Sequence, residues 1–333
     1  MSSLFSVRDA PVPNVAIEIA SGRVSAAALD WRGGRRVVTA HSTELLSDSA
    51  LVPSLTGVNV RDRAAVVTAV NRTLERLGRP ARVGVVIPDV AAKVSLVRFS
   101  SVPPREADLD QLIRWQVRKA APFPIEEAQV SYVRGHHGDE GQEFIVSLAR
   151  RSVVEEYEGL CSEAGAHAGL VDLSTFNVIN AVLAGSQPPS ADWLLVNVAA
   201  DYASIAIVRG PHLIFFRNRA AETEGTLADL VHQTAMYYED RLKGAGFTRV
   251  VLAGAAAAGI ESVPDRAGRR GDIDQIRRSL EERLSTSVDT VDPRTAAGLT
   301  DRISAAPALL DVLAPLVGMV MRDQEQTVAV TRE

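Results

Sequence analysis

Apolar and polar residues alternate along Val15–Ile19, Val24–Asp30 and Arg36–Ala40, with turn residues Ser21-Gly22 and Gly33-Gly34 between them. A two-residue period broken by glycine turns predicts a three-strand antiparallel meander. The spacing then becomes helical over Asp62–Leu77, where Ala65, Val66, Ala69, Val70, Leu74 and Leu77 share one face. A short apolar strand, Arg82–Ile87, follows and stops at Pro88. The same order of elements returns in the second half. Trp193–Ala199, Tyr202–Arg209 and His212–Arg217 form a second meander around Arg209-Gly210-Pro211. A long helix over Thr226–Lys243 and a strand over Arg249–Ala253 come next.

Between the two halves the pattern predicts an inserted αβ unit. Lys93–Phe99 alternates as a strand and ends at Val102-Pro103-Pro104. The helix Glu106–Ala120 carries Leu109, Leu112, Ile113, Gln116, Val117 and Ala120 on one stripe, and stops before Pro122-Phe123-Pro124, which cannot continue it. A hairpin pairs Gln129–Arg134 with Glu143–Leu148 across a polar tip, Gly135–Gln142, and the helix Ser152–Ala164 is closed by Gly165. The second half ends with the helix Asp272–Leu284, the strand Val288–Val291 and the helix Ala308–Arg322. A meander–helix–strand pattern occurring twice predicts a bilobal α/β protein with a cleft between its halves, and argues against one Rossmann sheet or a barrel. The expected divisions are 14–89 with 151–185 for the first lobe, 90–150 for the inserted unit and 192–322 for the second lobe. Segments 1–13 and 323–333 are read as flexible tails.

Composition narrows the function. A chain of 333 residues is long enough for about two domains. Its 46% apolar and 23% charged residues are those of a globular protein. A net charge of −5 excludes broad nucleic-acid binding, which needs a basic surface. One cysteine, Cys161, leaves no disulfide framework and no multi-cysteine metal site; on its apolar stripe it reads as a buried structural thiol. No apolar run reaches the roughly 20 residues of a membrane helix, because Pro307, Asp311 and Pro315 interrupt the best stretch, Ala305–Met321. The start is too polar for a signal peptide, so a cytoplasmic protein is expected, held at a membrane only through a partner. His136, His137, Asp139 and Glu140 cluster on the hairpin tip, where a solvated loop is the plainer reading than a metal site. There is no Gly-x-x-x-x-Gly-Lys-Ser/Thr loop and no Gly-x-Ser-x-Gly elbow.

The helix containing Gln111–Lys119, ending in Pro122-Phe123-Pro124-Ile125-Glu126-Glu127 and followed by Val130-Ser131-Tyr132, resembles a segment of the PilM family of type IV pilus assembly proteins. Phe215-Phe216-Arg217, Met236-Tyr237-Tyr238-Glu239 and Val251-Leu252-Ala253-Gly254 resemble that family in the same order, from Asn14 to Arg322. The family belongs to the actin-like ATPase superfamily, with FtsA and the secretion protein GspL as relatives. The resemblance implies a bilobal fold that grips ATP and Mg²⁺ between two hairpin turns built on Asp-x-Gly. Here the first turn reads Glu18-Ile19-Ala20-Ser21-Gly22, with Ser25 where a lysine is usual. The second reads Asn197-Val198-Ala199-Ala200, and the adenosine-side glycine pair is cut to Gly254-Ala255. Asn197 brings no charge to a hard cation, Glu18 displaces its carboxylate by one methylene, and Ala20 and Ala199 add methyls where phosphate would approach. Losing metal-centred charge forfeits several kcal/mol of transition-state stabilisation. The expectation is a retained fold with no catalytic residues, no metal ligands and, at most, weak ATP/Mg binding. The alternatives carried beside it are an active ATPase of this fold and a GspL-like secretion role.

The resemblance also implies partners. A PilN-like membrane protein would lay its cytoplasmic N-terminus, as an extended segment, in a groove beside the inserted unit, with the pilus motor ATPase or platform protein as further partners. Trp115 lies off the apolar stripe beside Arg114 and Arg118, and Phe123 stands between prolines ahead of Ile125. Trp115, Arg118, Phe123 and Ile125 are therefore either binding anchors or packing residues of the subdomain. Self-association is left open.

Overall fold

The computed structural model describes residues 12–47, 49–185, 191–221, 225–258 and 273–322. The segments read as tails fall mostly in 1–11 and 323–333, outside the described residues. Strands β1 (Val15–Ala20), β2 (Arg23–Arg32) and β3 (Arg35–Leu45) form the first meander, followed by α1 (Arg63–Arg76) and β4 (Arg82–Ile87). The insertion contributes β5 (Ala92–Phe99), α2 (Glu106–Val117), β6 (Ala128–Gly138) and β7 (Gly141–Arg150). Next come α3 (Arg151–Glu163), β8 (His167–Leu173) and α4 (Ser174–Gly185). The second half holds β9 (Trp193–Val198), β10 (Tyr202–Arg209), β11 (His212–Ala220), α5 (Leu227–Leu242) and β12 (Arg249–Ala253). It closes with α6 (Ala255–Ala258), α7 (Ile273–Leu284), β13 (Val288–Thr290), β14 (Gly298–Leu299) and α8 (Pro307–Met321).

The duplication is plain in the sheets. One runs β14-β3-β2-β1-β4-β8 and the other β11-β10-β9-β12-β13. In each, the first strand of the meander is antiparallel to the second and parallel to the strand after the helix. A third sheet, β5-β7-β6, belongs to the insertion. Each lobe sheet is apolar on both faces, as parallel central strands under two helical layers must be. Ile17 and Val85 pack toward α1 and α3, while Ala16 and Val86 pack toward α8.

Two elements, β8 and α4, stand in 166–185, where the periodicity predicted neither. β8 is a half-exposed edge strand, and α4 is apolar nearly all round, so neither shows an in–out alternation. α4 and α8 cross between the lobes. Gly318 of α8 makes this possible, since a Cβ there would lie 1.6 Å from the carbonyl oxygen of Asn177. The hairpin tip is also tighter than its polar residues suggested. β6 and β7 pair through Gly138 and Gly141, His136 rests its ring against His212, and Glu140 is ion-paired with Arg98. Gln116, expected on the buried stripe of α2, is exposed. Cys161 is fully buried, and burial pushes its thiol up to about 12.

Candidate functional site

Two concave regions share α4. The first is the cleft between the lobes, where the turn β1–β2 faces the turn β9–β10. Glu18, at the end of β1, is 4% exposed and accepts hydrogen bonds from Arg23 at 3.0 Å and from the Ser174 hydroxyl at 3.2 Å. Ser21 donates to the Asp201 carboxylate at 2.8 Å, tying one turn to the other. Asn197 donates its amide to the Thr175 hydroxyl at 2.9 Å, and Thr175 in turn donates to Asp89. Ala199 closes its own turn by donating to the Tyr202 carbonyl. Gly254 has φ 77°, and a Cβ there would sit 2.1 Å from the Val198 carbonyl, so only glycine lets β12 end this close to β9. Of the eight positions expected at the nucleotide, Glu18, Ala20, Ser21, Asn197, Ala199 and Gly254 line this cleft, with Gly22 and Ala255 adjacent in sequence to lining residues.

Four further residues complete the cleft, none of them apparent from the motif pattern. Asp89 is fully buried and also accepts from the Thr175 backbone N–H at 3.0 Å and the Ser204 hydroxyl at 2.6 Å. Its carbonyl takes a hydrogen bond from Asn218 of β11. This one residue thus joins the end of β4, the start of α4 and, through its carboxyl and its backbone carbonyl, two strands of the second lobe, and burial pushes the carboxyl up to about 6. Asp311 of α8 accepts from the backbone N–H of Ala256 at 2.7 Å, occupying the donors of the loop after Gly254. Burial raises Asp311 and Asp201, against the hydrogen bonds that favour their charged forms. Arg23 fills the remaining space beside Glu18. The only sequence signal for Asp89 was a carboxylate directly after the apolar strand ending at Pro88.

The cavity left among these groups is about 30 Å³, room for roughly one water. A nucleotide site needs several hundred Å³. The donor set does not suit ATP and Mg²⁺ either: Asn197 is neutral, Glu18 is neutralised by Arg23, and the backbone donors near Gly254 already hold a carboxylate. Among the described residues, no group of three or more His, Cys, Asp or Glu side chains could hold a metal.

The second region is a groove of about 860 Å³ beside the insertion. The outer edge of β8, residues 168–173, lines it without interruption. Among the described residues β8 pairs only with β4, so its other edge lies toward the groove. The inserted sheet contributes Ser131, Val133, Ile145 and Ser147, and α4 contributes Phe176, Ile179 and Leu183. Glu155 and Glu158 of α3 stand at its rim, and Asp172 is held by Arg322 at 2.6 Å.

The four residues suggested as partner anchors do not line this groove. Trp115 and Arg118 lie on the outward side of α2 and the turn after it, and Trp115 is 69% exposed. Phe123 and Ile125 are half-buried against the cluster of Leu109, Ile113 and Phe144 that glues α2 to the sheet. α2 covers one face of the inserted sheet through Val130 and Val146, and the groove is lined chiefly by the other face through Ser131, Val133, Ile145 and Ser147.

Known structures share this architecture. The PilM–PilN type IV pilus biogenesis complex is similar with a TM-score of 0.76 at 14% identity, covering 94% of this chain and 99% of that one. A Bacteroides thetaiotaomicron protein with an actin-like ATPase fold is similar with a TM-score of 0.50 at 11% identity, covering 87% and 94%. The fold is therefore that of the actin-like ATPases. The family model of the type IV pilus assembly protein PilM matches residues 16–243, and the chain belongs to that family. No curated protein matches it. Among the described residues, no helix is long and apolar enough to cross a membrane.

Proposed function

We propose that this PilM-family protein is a non-catalytic scaffold of a type IV pilus or related inner-membrane assembly complex. Its groove takes the cytoplasmic N-terminal segment of a PilN-like membrane protein, which holds the chain at the membrane, and the motor ATPase or platform protein docks elsewhere. The observation that carries this is the edge of β8, paired with no further described strand, in a groove flanked on one side by Phe176, Ile179 and Leu183 of α4. An extended segment can add there as a further strand, backbone pairing giving affinity and the Phe176–Leu183 side giving apolar pockets. The complex of a PilM with a PilN, similar over nearly the whole chain, supports the reading.

The cleft supports the non-catalytic part. Its acids and donors are satisfied by the chain itself, and a nucleotide would first have to break the Ser21–Asp201 and Arg23–Glu18 contacts. Two measurements test the proposal. A fluorescent peptide of the PilN-like protein's first residues should bind the full chain and compete with its unlabelled form; no binding at millimolar peptide overturns the groove. Phosphate release from Mg-ATP should stay at background, and turnover abolished by Glu18→Ala would establish the active ATPase instead.

A further inference from the structure

The β2–β3 hairpin ends in a basic, aromatic tip. Trp31 pairs across the ladder with Arg36, and Arg32 with Arg35. Both pairs lie beyond the neighbouring strands, since β1 follows β2 only as far as Ala28 and β14 meets β3 only at Val37 and Val38. Gly33 and Gly34 close the tip at φ 56° and 79°, the two positive values of a type I′ turn, and nothing lies within 4 Å of a Cβ built on either. Trp31 is 56% exposed, and Arg32 and Arg35 are exposed with no ion pair to a described residue. The Arg36 guanidinium sits 4.9 Å over the indole ring and donates to the Asn14 side chain at 2.9 Å, which holds the ring in its exposed position. Asp30, which accepts from Thr39 at 3.2 Å, is the one acid from 30 to 36. Three arginines against one aspartate leave the tip positive on a chain whose net charge is −5.

We propose that this tip is a contact for an anionic lipid surface, with Trp31 seated at headgroup depth and Arg32, Arg35 and Arg36 meeting the lipid phosphates. The choice of a bilayer rests on the proposed place of the chain at a membrane, and the shape of the tip favours it over nucleic acid. A convex two-residue turn presents its charges to a flat surface, whereas nucleic acid is held by basic groups ranged along several phosphates. Arg36 already covers one face of the indole, so base stacking is limited to the other. Each arginine near an anionic surface is worth about fivefold in partitioning, so the contact alone is weak. Stable attachment takes two signals. The peptide groove runs along β8, at the far side of the sheet from β3, so neither contact covers the other. Once the peptide is held, the lipid contact is made within one complex and strengthens it without further protein surface.

Sedimentation of the full chain with vesicles, in the absence of any peptide, tests this. Weak binding to phosphatidylglycerol vesicles at low salt is expected, fading as salt is raised, with none to phosphatidylcholine vesicles. Arg32→Glu with Arg35→Glu should lower partitioning about tenfold or more, and Trp31→Ala should lower it severalfold at unchanged charge, both with the parent's urea midpoint. Depth is read in a Trp115→Phe chain, where brominated acyl chains in the vesicles should quench Trp31, Trp193 being 1% exposed. No sedimentation with phosphatidylglycerol, binding untouched by the charge reversal, or tighter binding to a DNA duplex than to the vesicles overturns the inference. The groove is scored separately by its peptide in solution: vesicles bound without the peptide uphold the tip and sink the groove, and the peptide bound without the vesicles does the reverse.

Discussion

In the cleft, each carboxylate meets a donor from its own chain: Glu18 has Arg23 and Ser174, Asp201 has Ser21, and Asp311 has the α6 backbone. In the groove, six consecutive residues of β8 run along an edge that pairs with no further described strand, and Val133 stands 51% exposed. The cavities differ accordingly, about 30 Å³ against about 860 Å³. Buried polar groups must be satisfied internally unless a ligand regularly satisfies them. Under the proposed function, the site that satisfies itself is a joint, and the groove with an unpaired strand edge beside apolar side chains is the receptor. α4 serves both, with Ser174 and Thr175 at the joint and Ile179 and Leu183 at the receptor.

The largest expected effect comes from disturbing what the two sites share. Gly318→Ala drives a Cβ into the Asn177 carbonyl and to 3.0 Å from the Ala181 amide. Backbone blocks relief, so the α4–α8 crossing must widen. Urea unfolding should register a loss of about 4 kcal/mol or more, or no soluble protein. A loss below about 1 kcal/mol would mean that the crossing is not the rigid element both sites depend on.

The next effect separates the joint by its charge. Asp89 sits at about 6 in the native protein, against an ordinary value of about 3.9 in an unfolded chain. Between those values the native state binds more protons than the unfolded one, so stability falls as pH rises through the window. Two units correspond to about 3 kcal/mol. Asp89→Asn removes this titration, so the stability of the variant minus that of the parent should rise by about 3 kcal/mol from pH 4 to pH 7. A difference that stays flat would show that Asp89 titrates normally and that the joint is wetter than its burial implies.

What could be read beforehand follows the same division. Both meanders and their helices were legible because each has one clear period, and the turn residues Gly22 and Gly210 mark the hairpins. The fold class was legible because the pattern occurs twice. The clasp was not, since Asp89 reaches partners 86 and 115 residues away, and nothing local marks such a contact. The groove was hidden for a different reason. Its floor is a half-exposed edge strand and its flank an all-round apolar helix, and both erase the alternation that identifies an element. The outward position of Trp115 was readable from its helix, but the covered face of the inserted sheet and the receptor face were not distinguishable in a strand apolar on alternate residues.

Val133→Asp sharpens the receptor side alone. A carboxylate at this exposed position should change stability by less than about 0.5 kcal/mol in the free protein. Covered by an apolar peptide, it would lose water without gaining a partner, and peptide affinity should fall about 100-fold. Fluorescence anisotropy with the PilN-like peptide measures this. Unchanged affinity would move the binding segment away from β6.

The smallest change asks whether joint and receptor are independent. Ser21→Ala deletes one hydrogen bond across the cleft and leaves Asp201 without its side-chain donor. Urea unfolding should lose about 1 kcal/mol. Peptide affinity in the groove should stay within about twofold, because one such bond is a small part of a clasp that also includes Asp89, Thr175 and Ser204. If affinity instead falls with stability, the groove is binding only the closed form of the two lobes. α4 would then be transmitting cleft closure to the β8 edge, and the joint would be part of the receptor.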